Sequence, residues 1–172
     1  LRCHYFTEYM ASLMSSIPLN TSKLMEYIAE CESNGVKILS PHINESYENF
    51  TISKNAIRFG LLAIKNLGKG MIKNIVLERS SHGKFTSIKD FCKRMANCSD
   101  VNRRAIESLI KAGAFDGLNY NRNQMLSSLD SIMNLYSNSS YSTEIEGQLD
   151  LFGEMSNVAT KDYTIPSMDE FS

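Results

Sequence analysis

Residues 60–76 decide the fold, and they read Gly60-Leu-Leu-Ala-Ile-Lys-Asn-Leu-Gly-Lys-Gly-Met-Ile-Lys-Asn-Ile-Val76. The apolar spacing predicts a short helix that runs into a turn at Leu67-Gly68-Lys69-Gly70, and a second helix that starts at Met71. Glycine has no Cβ and permits a positive φ, so the two glycines suit a tight turn whose backbone N–H groups stay open. The stretch therefore predicts two short helices joined by a glycine-rich turn.

This arrangement fits a helix-hairpin-helix element, which can bind a phosphate. The N-terminus of the second helix carries a positive dipole end, and Lys69 and Lys73 flank it. Such contacts bind the sugar-phosphate backbone and read no base sequence. Leu67, Gly68, Lys69, Gly70 and Lys73 are the predicted DNA-binding residues of this turn. The alternative is an ordinary turn between two helices.

The charge of the chain is unevenly distributed. The net charge is −1, yet thirteen Lys and Arg residues and only four acidic residues lie from Lys54 to Lys111. A basic module between acidic flanks predicts a polyanionic partner such as DNA. A solvated helix surface is the alternative explanation of the same charges.

A second, degenerate copy of the element is predicted after the first. Asn102-Arg103-Arg104 opens a helix that ends in Leu109-Ile-Lys-Ala-Gly-Ala-Phe115, with one glycine in the turn. Arg103, Arg104 and Lys111 are the predicted DNA contacts of this copy. The alternative is that the segment only packs beneath the first element.

The remaining pattern predicts a mainly α chain in three parts. Residues 1–48 hold two helices: the first, over residues 4–16, has Tyr5, Tyr9, Met10 and Met14 inward, and the second is capped by Asn20 or Thr21. Residues 49–136 hold a small β-hairpin around Lys54-Asn55, the two glycine turns, and an amphipathic helix over 121–136. A loop is predicted over 80–84.

Residues 137–172 are predicted to be a flexible linker and tail. Ser, Asn, Thr and Glu dominate from 137 to 147, and an isolated apolar patch follows at 148–152. Apolar anchors on a polar segment are typical of a docking peptide, although a segment that folds back on the domain is the alternative. The residues of this peptide are Gln148, Leu149, Asp150, Leu151 and Phe152.

No catalytic or metal-binding constellation is recognisable in the sequence. The three histidines are scattered, and the four cysteines form no Cys-x-x-Cys pair, which predicts reduced thiols in a cytoplasmic protein. No stretch has the roughly 20 apolar residues of a membrane span. The chain starts without Met, so it is expected to begin inside a longer protein.

Several blocks, in this order, resemble the family of bacterial DNA polymerase III alpha subunits, the replicative C-family polymerases. The blocks are His4-Tyr-Phe-Thr-Glu-Tyr-Met10, Tyr27-Ile-Ala-Glu-Cys31, Asn44-Glu-Ser46, Ile57-Arg-Phe-Gly60, Ala63-Ile-Lys-Asn-Leu-Gly68, Phe85-Thr-Ser-Ile-Lys-Asp-Phe91, Asn102–Asp116 and Gln148-Leu-Asp-Leu-Phe152. The aromatic ring of Phe6 departs from the small residue of the family pattern.

The resemblance implies a fragment with the end of the helical fingers, a tandem helix-hairpin-helix module and the internal sliding-clamp motif at 148–152. It implies that the parent protein is a DNA-directed DNA polymerase, with Mg²⁺ held by palm aspartates upstream of residue 1. The fragment itself is expected to have no polymerase activity and no cofactor. The implied partners are primer-template or duplex DNA, the sliding clamp and other replicase subunits, at the bacterial nucleoid.

Three alternatives remain open at this point. A stand-alone helix-hairpin-helix adaptor of repair or recombination has the same DNA-binding features, and a purely structural helical domain has the same periodicity. The related long class of Gram-positive replicative polymerases is the nearer alternative, and there a clamp peptide at the extreme C-terminus is expected. In this chain twenty residues follow Phe152.

Overall fold

A computed structural model describes the backbone of residues 2–149 and the side chains of residues 5–136. The six helices in this range are α1 (Arg2–Ser16), α2 (Thr21–Ser33), α3 (Lys69–His82), α4 (Ile88–Arg94), α5 (Arg103–Lys111) and α6 (Arg122–Leu149). Three short strands, β1 (Lys37–Leu39), β2 (Thr51–Ser53) and β3 (Ala56–Arg58), lie between α2 and α3, and a 3-10 turn follows at Leu61–Ala63. The prediction of a mainly α chain with a small β element is confirmed.

The strands form one sheet in the order β1-β3-β2. The predicted hairpin is present: β2 and β3 pair antiparallel, and Lys54 adopts a φ of 58° in the turn between them. The structure adds a third strand to this hairpin, because β1 pairs parallel to β3. Every strand is three residues long, so the sheet depends on the helices packed against it.

The first hydrophobic cluster joins α1, α2 and this sheet. Met10, Met14, Cys31 and Ile57 are its fully buried members. The hairpin, which the sequence analysis grouped with the following module, therefore shares its core with the two N-terminal helices.

The inward face of α1 differs from the prediction. Tyr9 is 62% exposed and Tyr5 is also exposed, whereas Met10 and Met14 are buried. Phe6, Met10 and Met14 are spaced four residues apart and form one narrow stripe. Because Tyr5 and Tyr9 precede that stripe by one residue, they lie about 100° around the helix and away from the sheet.

The second hydrophobic cluster joins helices α3, α4, α5 and α6 around three aromatic rings. The ring centroids of Phe85 and Phe91 are 5.1 Å apart, and those of Phe91 and Phe115 are 5.2 Å apart, both edge to face. All three side chains are buried. Met71 and Ile75 of α3 pack in the same core.

Residues 42–49 connect the two hydrophobic clusters. The Ile43 amide donates to the Ala114 carbonyl at 2.8 Å. The Asn44 side chain forms two hydrogen bonds with the backbone of Phe85, of 2.7 and 2.9 Å. Glu45 of the same segment forms an ion pair with Arg58 of β3, so the segment contacts both the sheet and the helical module.

The helix boundaries follow the caps, with two differences from the prediction. Asn20, Ser87 and Asn102 each accept a hydrogen bond from the backbone amide three residues later, as their residue types predict. However, α3 continues through His82 and ends at Gly83, whose φ is 83°, so residues 80–82 are not a loop. Helix α6 continues to Leu149, past the predicted linker boundary at 137.

The reason for the longer α6 lies in its composition. The stretch from 122 to 146 contains neither Pro nor Gly, and so no residue breaks the helix that the preceding apolar face starts. No helix in the described part of the chain is long and apolar enough to cross a membrane.

Candidate nucleic-acid interface

The first hairpin turn owes its shape to asparagine rather than to glycine. Asn66 has a φ of 65°, in the left-handed region that asparagine tolerates better than most residues. Gly68 has a φ of −86° and a ψ of 156°, which any residue adopts, so the expectation of a positive φ at the glycines was wrong. The Asn66 side chain also donates to the Ser108 hydroxyl at 2.9 Å and thereby ties the turn to α5.

Gly68 instead keeps the backbone of the turn uncovered. A Cβ added at Gly68 would meet no atom within 4 Å, and Gly68, Lys69 and Gly70 are all exposed. Leu67 is buried and anchors the turn in the second cluster. Gly68 is the N-cap of α3 and makes no side-chain hydrogen bond. The first N–H groups of a helix have no partner within it, so this end of α3 can receive an anion.

Gly70 is needed for a different reason. A Cβ at this position would collide with the carboxylate of Asp100, which lies beside the first turn of α3. Asp100 belongs to the loop that precedes α5. The glycine at 70 therefore lets the α4–α5 loop pack closely against the hairpin.

The predicted lysines of the hairpin point into solvent. The Lys69 side chain is 74% exposed, and its Nζ lies 3.2 Å from the Glu48 carboxylate. An exposed pair of this kind contributes at most about 1 kcal/mol, so a phosphate can replace Glu48 as the partner of Lys69. Lys65 and Lys73 are exposed and form no ion pair with the described side chains.

The second predicted hairpin, between α5 and α6, is closed. Gly113 has a φ of 82°, as expected for a turn glycine. The Arg122 guanidinium lies over Gly113, pairs with Asp116 and donates to the Lys111 carbonyl at 3.3 Å. The amides of Gly113 and Asp116 donate to backbone carbonyls of the same turn. This copy therefore lacks the uncovered amides of the first one.

The predicted basic residues of α5 differ in their surroundings. Arg103 binds Asp130 and Glu107, with nitrogen–oxygen distances of 2.5 and 2.8 Å, and Lys111 binds Glu107 at 2.6 Å. Hydrogen bonds from Lys111 and the charge of Arg103 lower the pKa of Glu107. Arg104 is exposed and pairs with no described acidic residue.

Helix α5 brings part of this charge to the first hairpin. Arg104, Ser108 and Lys111 follow one another at helical spacing and share a face of α5. Ser108 is the residue that Asn66 binds, so this face lies against the hairpin turn. Arg104 therefore shares a face of α5 with the residue that contacts the first hairpin turn.

The sequence analysis missed Asn66, Asp100 and Glu48. The preference of asparagine for the left-handed region could have indicated Asn66, whereas the other two act through contacts distant in sequence. The predicted docking peptide has its backbone described only for Gln148 and Leu149; Asp150, Leu151 and Phe152 lie outside the described residues.

Metal-binding and thiol side chains are the remaining candidates for chemistry in the described part of the chain. Among residues 5–136 no group of three or more His, Cys, Asp or Glu side chains could hold a metal ion. Burial raises the pKa of the Cys92 thiol to about 12, so this cysteine stays protonated at neutral pH.

A family model described as the helix-hairpin-helix motif matches residues 35–125, more than half of the chain. The chain belongs to this helix-hairpin-helix family. It is also homologous to a segment of proteins named DNA polymerase III subunit alpha, including those from Saccharopolyspora erythraea, Neisseria meningitidis serogroup A and Vibrio cholerae. The identities are 39%, 42% and 37%, over 89%, 78% and 91% of this chain.

The chain spans a small part of these relatives. It covers 13%, 12% and 14% of their respective lengths. The chain therefore contains a helix-hairpin-helix motif and is homologous to a short segment of DNA polymerase III alpha subunits.

Proposed function

We propose that this chain binds the duplex behind the active site of a replicative DNA-directed DNA polymerase, through the first hairpin. The observation that carries the proposal is the uncovered N-terminus of α3, where Gly68 leaves the backbone open beside Lys69 and Lys73. Backbone amides and lysines together hold phosphate oxygens without reading bases. A polymerase needs this property, because it must hold every sequence that it copies.

The catalytic palm and its Mg²⁺ belong, in this proposal, to other parts of the parent protein. This segment would contribute binding of the duplex and not nucleotidyl transfer. Homology to long polymerases over most of the chain favours this role over that of a stand-alone repair adaptor.

The test of the proposal is the salt dependence of duplex binding. Each phosphate contact contributes about 0.9 to the slope of log K against log salt concentration. Replacing Lys69 and Lys73 by alanine is expected to weaken binding to all duplex sequences alike and to reduce that slope by about 2. Fluorescence anisotropy with two unrelated duplexes, titrated at several salt concentrations, measures both effects.

The matched control is Lys23→Ala with Lys37→Ala. Both lysines are exposed, on α2 and β1, and both lie outside the hairpin. This variant loses the same two positive charges. Its slope of log K against log salt concentration should stay close to that of the wild type, because neither lysine contacts a phosphate in this proposal. Equal binding by the two double variants, or a many-fold preference for one duplex, would contradict the proposal.

The second part of the proposal is that residues 148–152 dock on the sliding clamp. It is supported by the sequence Gln148-Leu-Asp-Leu-Phe152 and by the long polar stretch that separates it from the apolar face of α6. Burying Leu151 and Phe152 contributes about 1.5–3 kcal/mol each before ordering costs, which by itself corresponds to weak binding, with a Kd of roughly tens of micromolar or higher. Simultaneous binding of the hairpin to the same DNA would raise the effective concentration of the peptide.

Titration of a bacterial clamp with the chain measures this interaction. Leu151→Ala with Phe152→Ala should lower the affinity at least tenfold, because most of the apolar anchor is lost. Met155→Ala, three residues further along, is the control and should bind as the unaltered chain does. Equal affinities for the double variant and the unaltered chain would refute clamp docking.

A further inference from the structure

Tyr47 is an exposed aromatic residue with a cation fixed behind it. Its side chain is 53% exposed, and the guanidinium carbon of Arg79 lies 4.7 Å from the centre of its ring. Arg79 itself is only 8% exposed, which is unusual for an arginine. One side of the ring is therefore covered by a buried charge, while much of the side chain faces solvent.

Arg79 is held firmly in this position. Its Nη1 donates to the Ile43 carbonyl at 2.7 Å, while its Nη2 has no hydrogen-bond partner among the described residues. Burial lowers the pKa of Arg79, whereas Tyr47 and the negative charge of Glu45 oppose that shift. The guanidinium cannot leave without breaking these contacts, so the ring above it has a rigid support.

Tyr47 lies at the edge of the first hairpin. Its carbonyl accepts a hydrogen bond from the Leu61 amide at 2.8 Å, and its neighbour Glu48 forms the ion pair with Lys69. Gly60 allows this approach, because a Cβ there would lie 2.6 Å from the carbonyl carbon of Asn49. The Tyr47 carbonyl and the neighbouring Glu48 side chain therefore connect this residue to the two parts of the hairpin.

We infer that Tyr47 is a stacking platform for an unpaired base of single-stranded DNA that continues from the duplex held by the hairpin. Aromatic side chains beside cationic groups bind single strands in this way, and they do so with little sequence preference because every base has a π-face. The inference rests on the proposed function, since both sites bind the same DNA. It adds a second kind of contact that duplex binding does not require.

A tryptophan at position 47 provides the test. The chain contains no tryptophan, so Tyr47→Trp introduces a single fluorescent reporter that preserves the aromatic cover over Arg79. Titration of the 172-residue chain with oligo-dT, or with a duplex that carries a 5′ single-stranded extension, is expected to quench this fluorescence strongly. A blunt duplex should bind without quenching it.

Affinity measurements with Tyr47→Leu complete the experiment. Loss of one stacked base should weaken binding of the extended duplex about tenfold relative to wild type, while blunt-duplex binding stays unchanged. Tyr9→Trp and Tyr9→Leu are the matched controls, because Tyr9 is an exposed tyrosine on α1. These controls should show neither quenching nor weakened binding.

The outcomes separate the two proposals. Absence of quenching by single-stranded DNA at position 47, in a protein that still binds blunt duplex, would overturn the stacking platform alone. Quenching equal to that at position 9 would also overturn it. Failure of duplex binding together with quenching at position 47 would overturn the proposed hairpin function and leave the platform supported.

Discussion

Replacing Phe91 by alanine is expected to lower the free energy of unfolding by about 3–5 kcal/mol. Phe91 is the middle one of the three aromatic rings in edge-to-face contact and is fully buried. Its removal would leave a cavity between Phe85 and Phe115 and would also remove both edge-to-face contacts. Since single domains are stable by about 5–15 kcal/mol, the variant should lose a large share of its stability.

Urea denaturation followed by circular dichroism measures this loss. Leu19→Ala is the control, because Leu19 is exposed in the α1–α2 connection and its truncation should change stability by less than about 0.5 kcal/mol. A loss below 1 kcal/mol for Phe91→Ala would show that the second cluster is not the stabilising core.

Replacing Arg94 by methionine is expected to lower the free energy of unfolding by about 3 kcal/mol. The Arg94 guanidinium donates to the Glu78 carboxylate at 2.8 Å and to the Gly83 carbonyl at 2.9 Å. It also lies 4.3 Å above the centre of the Phe85 ring. Methionine preserves part of the packing but leaves Glu78 and the end of α3 without their partner.

Acid titration gives this prediction a second readout. Hydrogen bonding from Arg94 lowers the pKa of Glu78 below its ordinary value of 4.5. A carboxyl group with a lowered folded-state pKa stabilises the fold above the unfolded value, and this stability is lost as pH falls through the folded pKa. The Arg94→Met variant lacks this contribution. Its free energy of unfolding should therefore fall less than that of the wild type when the pH is lowered below about 4.5.

Lys93→Met is the matched control for Arg94. Lys93 is its neighbour on α4 and is exposed. The control variant should keep both the stability and the acid dependence of wild type. Equal losses for the two methionine variants would mean that the guanidinium network does not hold α3 and α4 together.

Local sequence signals predicted where the helices begin better than they predicted how the elements pack together. Asn20, Ser87 and Asn102 were identifiable as caps because a cap depends on its own side chain and an amide three residues away. The burial of Tyr5 and Tyr9 was predicted wrongly, because an aromatic residue at helical spacing need not share the buried stripe. The parallel pairing of β1 with β3 is a non-local contact that no local pattern indicates.

In the candidate site, too, local sequence signals predicted the turn but not the contacts around it. The turn at 67–70 was predicted from its glycines, yet the residue with positive φ is Asn66. The two hairpins look alike in sequence, and only the structure shows that Arg122 covers the turn at Gly113 whereas Gly68 is uncovered. Ion pairs between residues distant in sequence, such as Arg103 with Asp130, could not be predicted from the local pattern either.

The most direct test of hairpin-mediated DNA binding is a map of backbone amide chemical shifts during titration with a blunt duplex. The largest shifts are expected at the amides of Gly68, Lys69, Gly70 and Met71, because these groups meet the phosphates. The amides of residues 113–117, which the second turn uses internally, should shift little. Shifts concentrated at 113–117, or on α1 and α2, would contradict the assignment of DNA binding to the first hairpin.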